Sequence, residues 1–316
     1  MKMIHTVKTV LLRLLPKSII HLYSTLKLLL RGDYLKLRRQ VANLNLNLEM
    51  ANRRILPPYH QVAGNYLFHN RINQHEAKIY SQNGEDGILL YLISKIGLTN
   101  GRFVEFGVGN GRECNTANLS LNFGWHGLLI EIDGQQAQAA QQYYQQQLGI
   151  QQDRVQIINA AITVENINSL LTENNVQGEI DLLSIDMDGI DYWVWQAISV
   201  IQPRLVVIEY NASFGNQPAI SIKYDANFNT HAKHPSGFYH GASLVALTKL
   251  GKQKGYKLVG CDSSGSNAFF VHQDAAQAFI TAVTPQEAYF PHSHRTKSLN
   301  SQQQFQIISH LPFDEI

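Results

Sequence analysis

The stretch that most constrains what this chain can fold into is Arg102 to Glu113, RFVEFGVGNGRE. A short apolar run, Phe103-Val104-Glu105-Phe106, feeds a turn with glycine at positions 107, 109 and 111. Ordinary residues there would put β-carbons where a bound ligand must lie, whereas glycine lets the main chain itself approach a nucleotide-like group. The next apolar run, Gly127 to Asp133 (GLLIEID), ends in the acids Glu131 and Asp133. That is where a ribose hydroxyl pair needs acceptors. A glycine turn after one strand and a carboxylate at the tip of the next describe a nucleoside-binding α/β domain, and an enzyme.

The rest of the body follows that pattern. Residues 113–124 read as the first crossover helix, and the runs 155–159, 180–185 and 205–210 as further strands separated by helical stretches 134–148, 165–175 and 192–201. Such alternation means a parallel sheet covered on both faces. The last apolar runs, 256–260 and 267–271, are joined by only six residues, Cys261 to Ser266. That is too few for a crossover helix, so these two strands pair antiparallel. The expected fold class is α/β: a Rossmann-like, doubly wound, mostly parallel seven-stranded sheet with an antiparallel C-terminal strand pair. Upstream, Ser81-Gln82-Asn83-Gly84-Glu85-Asp86-Gly87 precedes a helical pattern at 88–93. Ser81 or Asn83 is a candidate N-cap, and the polar cluster is a candidate lid over the ligand. Residues 211–240 form a polar insertion too long for an ordinary connection, hence a candidate substrate loop.

Charge divides the chain. Residues 1–54 hold eleven Lys or Arg against Asp33 and Glu49, a local charge of +9, which leaves −7 on the remainder of a chain whose total is +2. Arg13, Pro16, Lys17 and Lys27 interrupt the apolar clusters of this leader, so no run approaches the roughly 18–20 residues of a membrane span. No small-residue cleavage site of a secretory signal follows either. The expectation is a basic, amphipathic, helical extension over residues 1–58, closed by Pro57-Pro58. Its residues 1–54 would meet an anionic membrane surface, or pack on a partner or on its own domain. Residues 59–274 are then the α/β domain, and 275–316 a tail packing on or flanking it. The acidic body argues against a nucleic-acid partner. Cys114 and Cys261 have neither disulfide-framework nor zinc spacing, so Cys114 reads as a buried small apolar residue. The expected location is the cytoplasm, peripheral at the inner face of the membrane if the leader attaches there.

The pieces SQNGEDGIL, FVEFGVGNGRECNT, GWHGLLIEID, NAAI, DLLSIDMDGIDYWVW, PRLVVIEYN and GYKLVGCDSSGSNAFFV occur in that order over about residues 80–272. Together they resemble the FkbM-type branch of S-adenosylmethionine-dependent methyltransferases. The resemblance implies S-adenosylmethionine as cofactor. Glu105, Gly107, Gly109 and Gly111 would hold its methionine part, and Glu131, with Asp133 as the second choice, its ribose hydroxyls. Asn159 and Ala160 would lie along the adenine, and Asp186 would face the methyl donor. One departure stands at Asp186-Met187-Asp188-Gly189, where many relatives have Asp-x-Glu-Gly. The resemblance also implies O-methylation of a saccharide or other small molecule in a glycan or natural-product pathway.

A methyl group on a sulfonium is already electrophilic, so the protein needs to align an acceptor and deal with its proton. The bases available near strand tips or in the insertion are Asp186, Asp188, Glu209, His231, His234 and His240. His240 is preferred among the histidines because Tyr239 to Ser243 opens a helix whose N-terminus can face the pocket. Asp186, Asp188, Glu209 and Asn211 are candidate oxygen ligands for Mg2+ in a metal-assisted version. Asp191, Trp193 and Trp195 are expected to hold the helix after the fourth strand against the core. Two rival readings remain. A nicotinamide-dependent oxidoreductase is disfavoured by GxGxG spacing where GxGxxG is needed. A non-enzymatic, membrane-associated assembly or scaffold protein would have no use for the glycine turn and both acids.

Overall fold

The computed structural model describes residues 72–276 and 280–316. The expectations for residues 1–58 lie outside the described residues. All described residues belong to the unit Arg54–Ile316.

Seven strands form the central sheet: β1 (Arg102–Phe106), β2 (His126–Glu131), β3 (Val155–Asn159), β4 (Gly178–Ile185), β5 (Ile201–Glu209), β7 (Tyr256–Cys261) and β8 (Asn267–His272). The short strands β6 (Ile220–Ile222) and β9 (Phe313–Glu315) pair separately. The spatial order of the main sheet is 3-2-1-4-5-8-7. Strands β1 to β5 are mutually parallel, and β8 runs antiparallel to both β5 and β7. This is the mostly parallel, seven-stranded, Rossmann-like sheet with an antiparallel end that the chain's pattern of strands predicts. The chain winds outward from β1 through β2 to β3, then returns to place β4 on the other side of β1. Crossovers leave in opposite directions at that switch, and a crevice opens beyond the carboxyl ends of β1 and β4.

Period-two alternation sorts the strand residues between two cores. Val104, Phe106, Leu183, Ile185, Val206 and Ile208 face α5 (Asp191–Ala197) and α6 (Leu244–Gln253). Phe103, Leu182, Leu205 and Val207 face α1 (Glu85–Ile96) and α3 (Gly134–Leu148). Trp195 of α5 is buried against Phe270 and Tyr256, and Trp193 donates its indole N–H to the Ile222 carbonyl at 2.8 Å. Three helices are shorter than the sequence predicts. The one expected at 165–175 is α4 (Ile167–Glu173). The helix expected at 113–124 is α2 (Ala117–Phe123), because Asn115 and Thr116 are held by a strand carboxylate. The helix expected at 192–201 stops at Ala197, where Ile198 takes extended backbone angles and leads into β5.

The polar insertion is not a free loop. Its β6 pairs with β9 at the C-terminus, register Ile220↔Glu315 to Ile222↔Phe313. The tail also carries α7 (Ser301–Ile308), started by a capping box between Asn300 and Gln303. Gln304 and Ile308 are buried, and Phe305 and Phe313 pack on Phe214. Tyr210 at the end of β5 donates to the Phe290 carbonyl at 2.6 Å and accepts from the Phe290 N–H at 3.1 Å. The tail is thereby strapped across the carboxyl end of β5. No helix among the described residues is long and apolar enough to cross a membrane.

Candidate active site

A cavity of about 540 Å3 opens at the β1/β4 switch. Its wall combines Gln82, Asn83 and Glu85, the glycine turn, Asp186 and Asp188 after β4, Glu209 at the end of β5, and His292 and Arg295 from the tail. Among the described residues, six carboxylates, those of Glu85, Glu105, Glu113, Asp186, Asp188 and Glu209, share that wall with a single arginine.

The turn glycines have separate duties. Gly107 has φ +71°, and a β-carbon there would fall 1.6 Å from the Asp186 carbonyl oxygen. Only glycine permits that approach of β1 to β4. Gly111 lies against Ala140 and Tyr144 of α3, where an added β-carbon would sit 3.0 Å from each. At Gly109 the space beyond the turn is open, and its N–H donates to Glu131 Oε2 at 2.6 Å. Glu131 Oε1 accepts the Asp133 N–H at 2.9 Å, so this carboxylate ties the turn to the end of β2. Glu105 is buried. It accepts the N–H groups of Asn115 and Thr116 at 2.8 and 3.0 Å, the Thr116 hydroxyl at 2.5 Å and the Ser184 hydroxyl at 3.3 Å. Burial pushes its pKa up, and these four donors oppose the shift.

The residues assigned to a nucleoside lie beside this turn without lining the cavity. Asp133 caps α3 by accepting the N–H groups of Gln135 and Gln136 at 2.8 and 2.9 Å. The Asn159 amide donates to the carbonyls of Glu131 and Ile132, both at 2.8 Å, and the Ala160 N–H donates to the Glu131 carbonyl at 3.0 Å. Glu131, Asn159 and Ala160 are thus brought together at the carboxyl ends of β2 and β3.

Beyond β4, Asp191 accepts the N–H groups of Met187 and Gly189 at 2.8 and 3.0 Å, which bends the Asp186–Gly189 turn into the cavity. Asp188 holds a left-handed φ of +54°, a strained conformation for a non-glycine residue. Burial raises the Asp186 carboxyl well above the usual carboxylate range, and repulsion from Glu209 and Asp188 adds to it. Glu209 is raised likewise, by burial first and then by Asp188 and Asp191. Asn211 lies apart from the cavity. Its amide donates to the carbonyls of Phe238 and His240 at 2.7 and 2.8 Å, and its oxygen accepts the Ser213 N–H at 2.9 Å. His240 stands instead beside the acids: one ring nitrogen, one oxygen of Asp188 and one of Glu209 all fall within 4.8 Å of one another. Burial, then the charge of Arg295, lowers the His240 pKa to about 4. His231 and His234 do not reach the cavity lining.

Gln82 and Asn83 do form part of the wall, and the Gln82 amide reaches Glu113 at 3.4 Å. Ser81 does not stand at the N-cap position of α1, although its hydroxyl oxygen accepts the Asp86 N–H of the first turn at 3.0 Å. Asp86 Oδ2 collects the N–H groups of Ile79, Tyr80 and Ser81 and the Ser81 hydroxyl, and Gly84 occupies the cap position. Cys114 is buried, with its thiol pKa raised by burial, which suits packing and not nucleophilic chemistry. Sequence reasoning missed His292 and Arg295. The only local sign of them is the run Pro291-His292-Ser293-His294-Arg295 in an otherwise weakly patterned tail.

This crevice, with its glycine turn after β1 and a carboxylate at the end of β2, defines a protein of the methyltransferase type. Residues 65–258 match the family model described as the methyltransferase FkbM domain, and the chain belongs to that family. No curated protein matches the chain. Among solved structures, one assigned as a sarcosine dimethylglycine methyltransferase from Galdieria sulphuraria is 17% identical, with 54% of this chain and 59% of that chain covered, at a TM-score of 0.36. The likeness therefore spans less than two thirds of that protein. Magnesium protoporphyrin IX methyltransferase from Synechocystis PCC 6803 with bound S-adenosylmethionine is 12% identical, covering 73% and 97% of the two chains at a TM-score of 0.39. The glycopeptide N-methyltransferase MtfA with S-adenosylmethionine is 10% identical, covering 66% and 100% at 0.38.

Two measurements test this geometry. Replacing Gly107 by Ala forces β1 and β4 apart at their carboxyl ends, and the expected cost is about 2–4 kcal/mol in denaturant unfolding. A loss under about 0.5 kcal/mol would contradict the contact. His292 accepts the N–H groups of His294 and Arg295 at its Nδ1, at 3.2 and 3.3 Å, and burial lowers its pKa from 6.5 to about 4. The folded pKa lies below the unfolded one, so this contribution to stability is present above pH 6.5 and lost as pH falls through about 4. In NMR titration the His292 ring should stay neutral at pH 5.5, and His292→Phe should flatten the acid limb of the stability curve.

Proposed function

We propose that the protein transfers the methyl group of S-adenosylmethionine to an oxygen of a small hydroxylated acceptor, with a saccharide or related natural product as the favoured class. The observation that carries this reading is the charge of the crevice: six carboxylates and one arginine around an open glycine turn. S-adenosylmethionine brings a sulfonium and an ammonium, and the residues present fit both. The Gly107–Gly111 main chain leaves room for its methionine part. Glu131 offers acceptor oxygens beside Gly109 for ribose hydroxyls, and Asn159 and Ala160 flank the adenine side.

When bound, the cofactor supplies an electrophilic methyl group; the C–S bond breaks as the bond to the acceptor oxygen forms. What the chain must add is alignment and a place for the acceptor's proton. Asp186 is the group for the proton. It lies on the cavity wall, and its raised pKa makes it a stronger base than an ordinary carboxylate. Gln82 and Asn83 narrow the opening on the α1 side, while the tail closes the β5 side.

We read residues 1–54 as the element that brings this site to an anionic surface at the inner face of a membrane, where a lipid-linked or envelope saccharide would be met. Its support is the +9 charge of that segment against −7 on the rest. The α/β domain is then residues 59–274, with 275–316 as its tail.

Calorimetric titration with S-adenosylmethionine and S-adenosylhomocysteine should show micromolar binding that Glu131→Ala weakens at least tenfold. Silence from the intact protein toward both ligands would refute the reading. Removal of residues 1–54 should abolish co-sedimentation with phosphatidylserine vesicles while cofactor binding persists; unchanged partitioning would refute the membrane role.

A further inference from the structure

We infer that Asp188, Glu209 and His240 form a binding site for one divalent transition-metal ion at the acceptor side of the cavity. Three observations converge. The donor atoms of these residues lie within 4.8 Å of one another although they come from three separate segments, the turn after β4, the end of β5 and the approach to α6. His240 is 1% exposed, yet among the described residues neither of its ring nitrogens has a hydrogen-bond partner; Glu209 Oε2 lies 3.5 Å from Nδ1. A buried imidazole with both nitrogens unpaired is costly unless something else takes one lone pair. Finally, neither Asp188 nor Glu209 forms an ion pair with a lysine or arginine among the described residues, and Asp191 adds negative charge beside Glu209. Among the described residues, Arg295 is the one opposing charge on this wall.

The donor set selects the kind of ion. Two carboxylates alone suit Mg2+ or Ca2+, but an imidazole nitrogen shifts the preference toward Mn2+, Fe2+, Co2+ or Zn2+. Metal–donor bonds of about 2.0–2.2 Å put neighbouring donors roughly 3–3.6 Å apart, so separations as wide as 4.8 Å must contract when an ion binds. The exposed Asp188 side chain can supply that movement by rotation. Three protein donors leave open positions, so an ion here can take two neighbouring oxygens of an acceptor and lower the pKa of the one to be methylated. This role rests on the methyltransferase reading above and narrows its substrate class to acceptors with adjacent oxygen donors, such as a vicinal diol. The metal site itself does not depend on it.

The test uses the full-length protein stripped with chelator and titrated with Mn2+ alone, followed by EPR. One Mn2+ per chain is expected, with nitrogen hyperfine coupling from a single imidazole in the pulsed spectrum. His240→Ala and Glu209→Gln, checked for folding by circular dichroism, should weaken binding at least tenfold, and His240→Asp should restore part of it. Absence of stoichiometric binding would overturn the site, and so would binding with no nitrogen coupling, which would mark nonspecific attraction to the acidic wall. The nitrogen signature is read on the unmutated chain, so the test survives a variant that fails to fold. Parallel calorimetry with S-adenosylmethionine separates the two readings: cofactor binding without Mn2+ binding removes only the metal, and Mn2+ binding without cofactor binding removes only the methyl transfer.

Discussion

The contact on which this site depends is between two stretches of main chain, Gly107 after β1 and the Asp186 carbonyl after β4. There is no room between them for a methyl group. Because β1 and β4 are parallel neighbours in register Phe106↔Ile185, the loops that leave them must diverge. The close approach holds their carboxyl ends together while the chain departs on opposite sides. Everything functional hangs from this point: the glycine turn on one side, Asp186 and Asp188 on the other, and the crevice between.

A cluster of acids in such a crevice is expensive unless each carboxylate is satisfied or a cation is expected. The structure divides its acids accordingly. Glu105 and Asp191 through both oxygens, and Asp86 through Oδ2, accept backbone N–H groups and thereby shape the α2 entry, the Asp186–Gly189 turn and the approach to α1. Asp186, Asp188 and Glu209 face the cavity, and the first and last have raised pKa values from burial and mutual repulsion. The first group is architecture. The second supplies the groups on which the proposed chemistry rests.

The C-terminal tail completes the enclosure. Tyr210, Phe214 and the β6–β9 pair hold it over the end of β5, which brings His292 and Arg295 to the cavity wall. Among the described residues Arg295 thus becomes the only positive side chain lining a wall of acids, and the polar insertion at 211–240 is folded down as the tail's pairing partner.

Much of this was legible in the chain. The glycine turn, the acids after β2 and the six-residue link between the last two strands determined the class of sheet, its antiparallel end and the side on which the cavity opens. These are local features whose meaning depends on backbone sterics and strand direction. The placement of Asn159, Ala160 and Glu131 side by side also followed, because parallel neighbours end at the same edge. Three things were decided only by tertiary structure. Asn211, one residue from a strand tip, turned its amide inward to bind Phe238, His240 and Ser213, because buried backbone groups nearby needed partners. His240, about thirty residues from β5, came to rest against Glu209 and Asp188 in the place where an oxygen ligand was expected. Arg295 arrived from the far end of the chain through the packing of Tyr210 and Phe313. No periodicity or spacing encodes such meetings, since each depends on where a long connection lands after the core has closed.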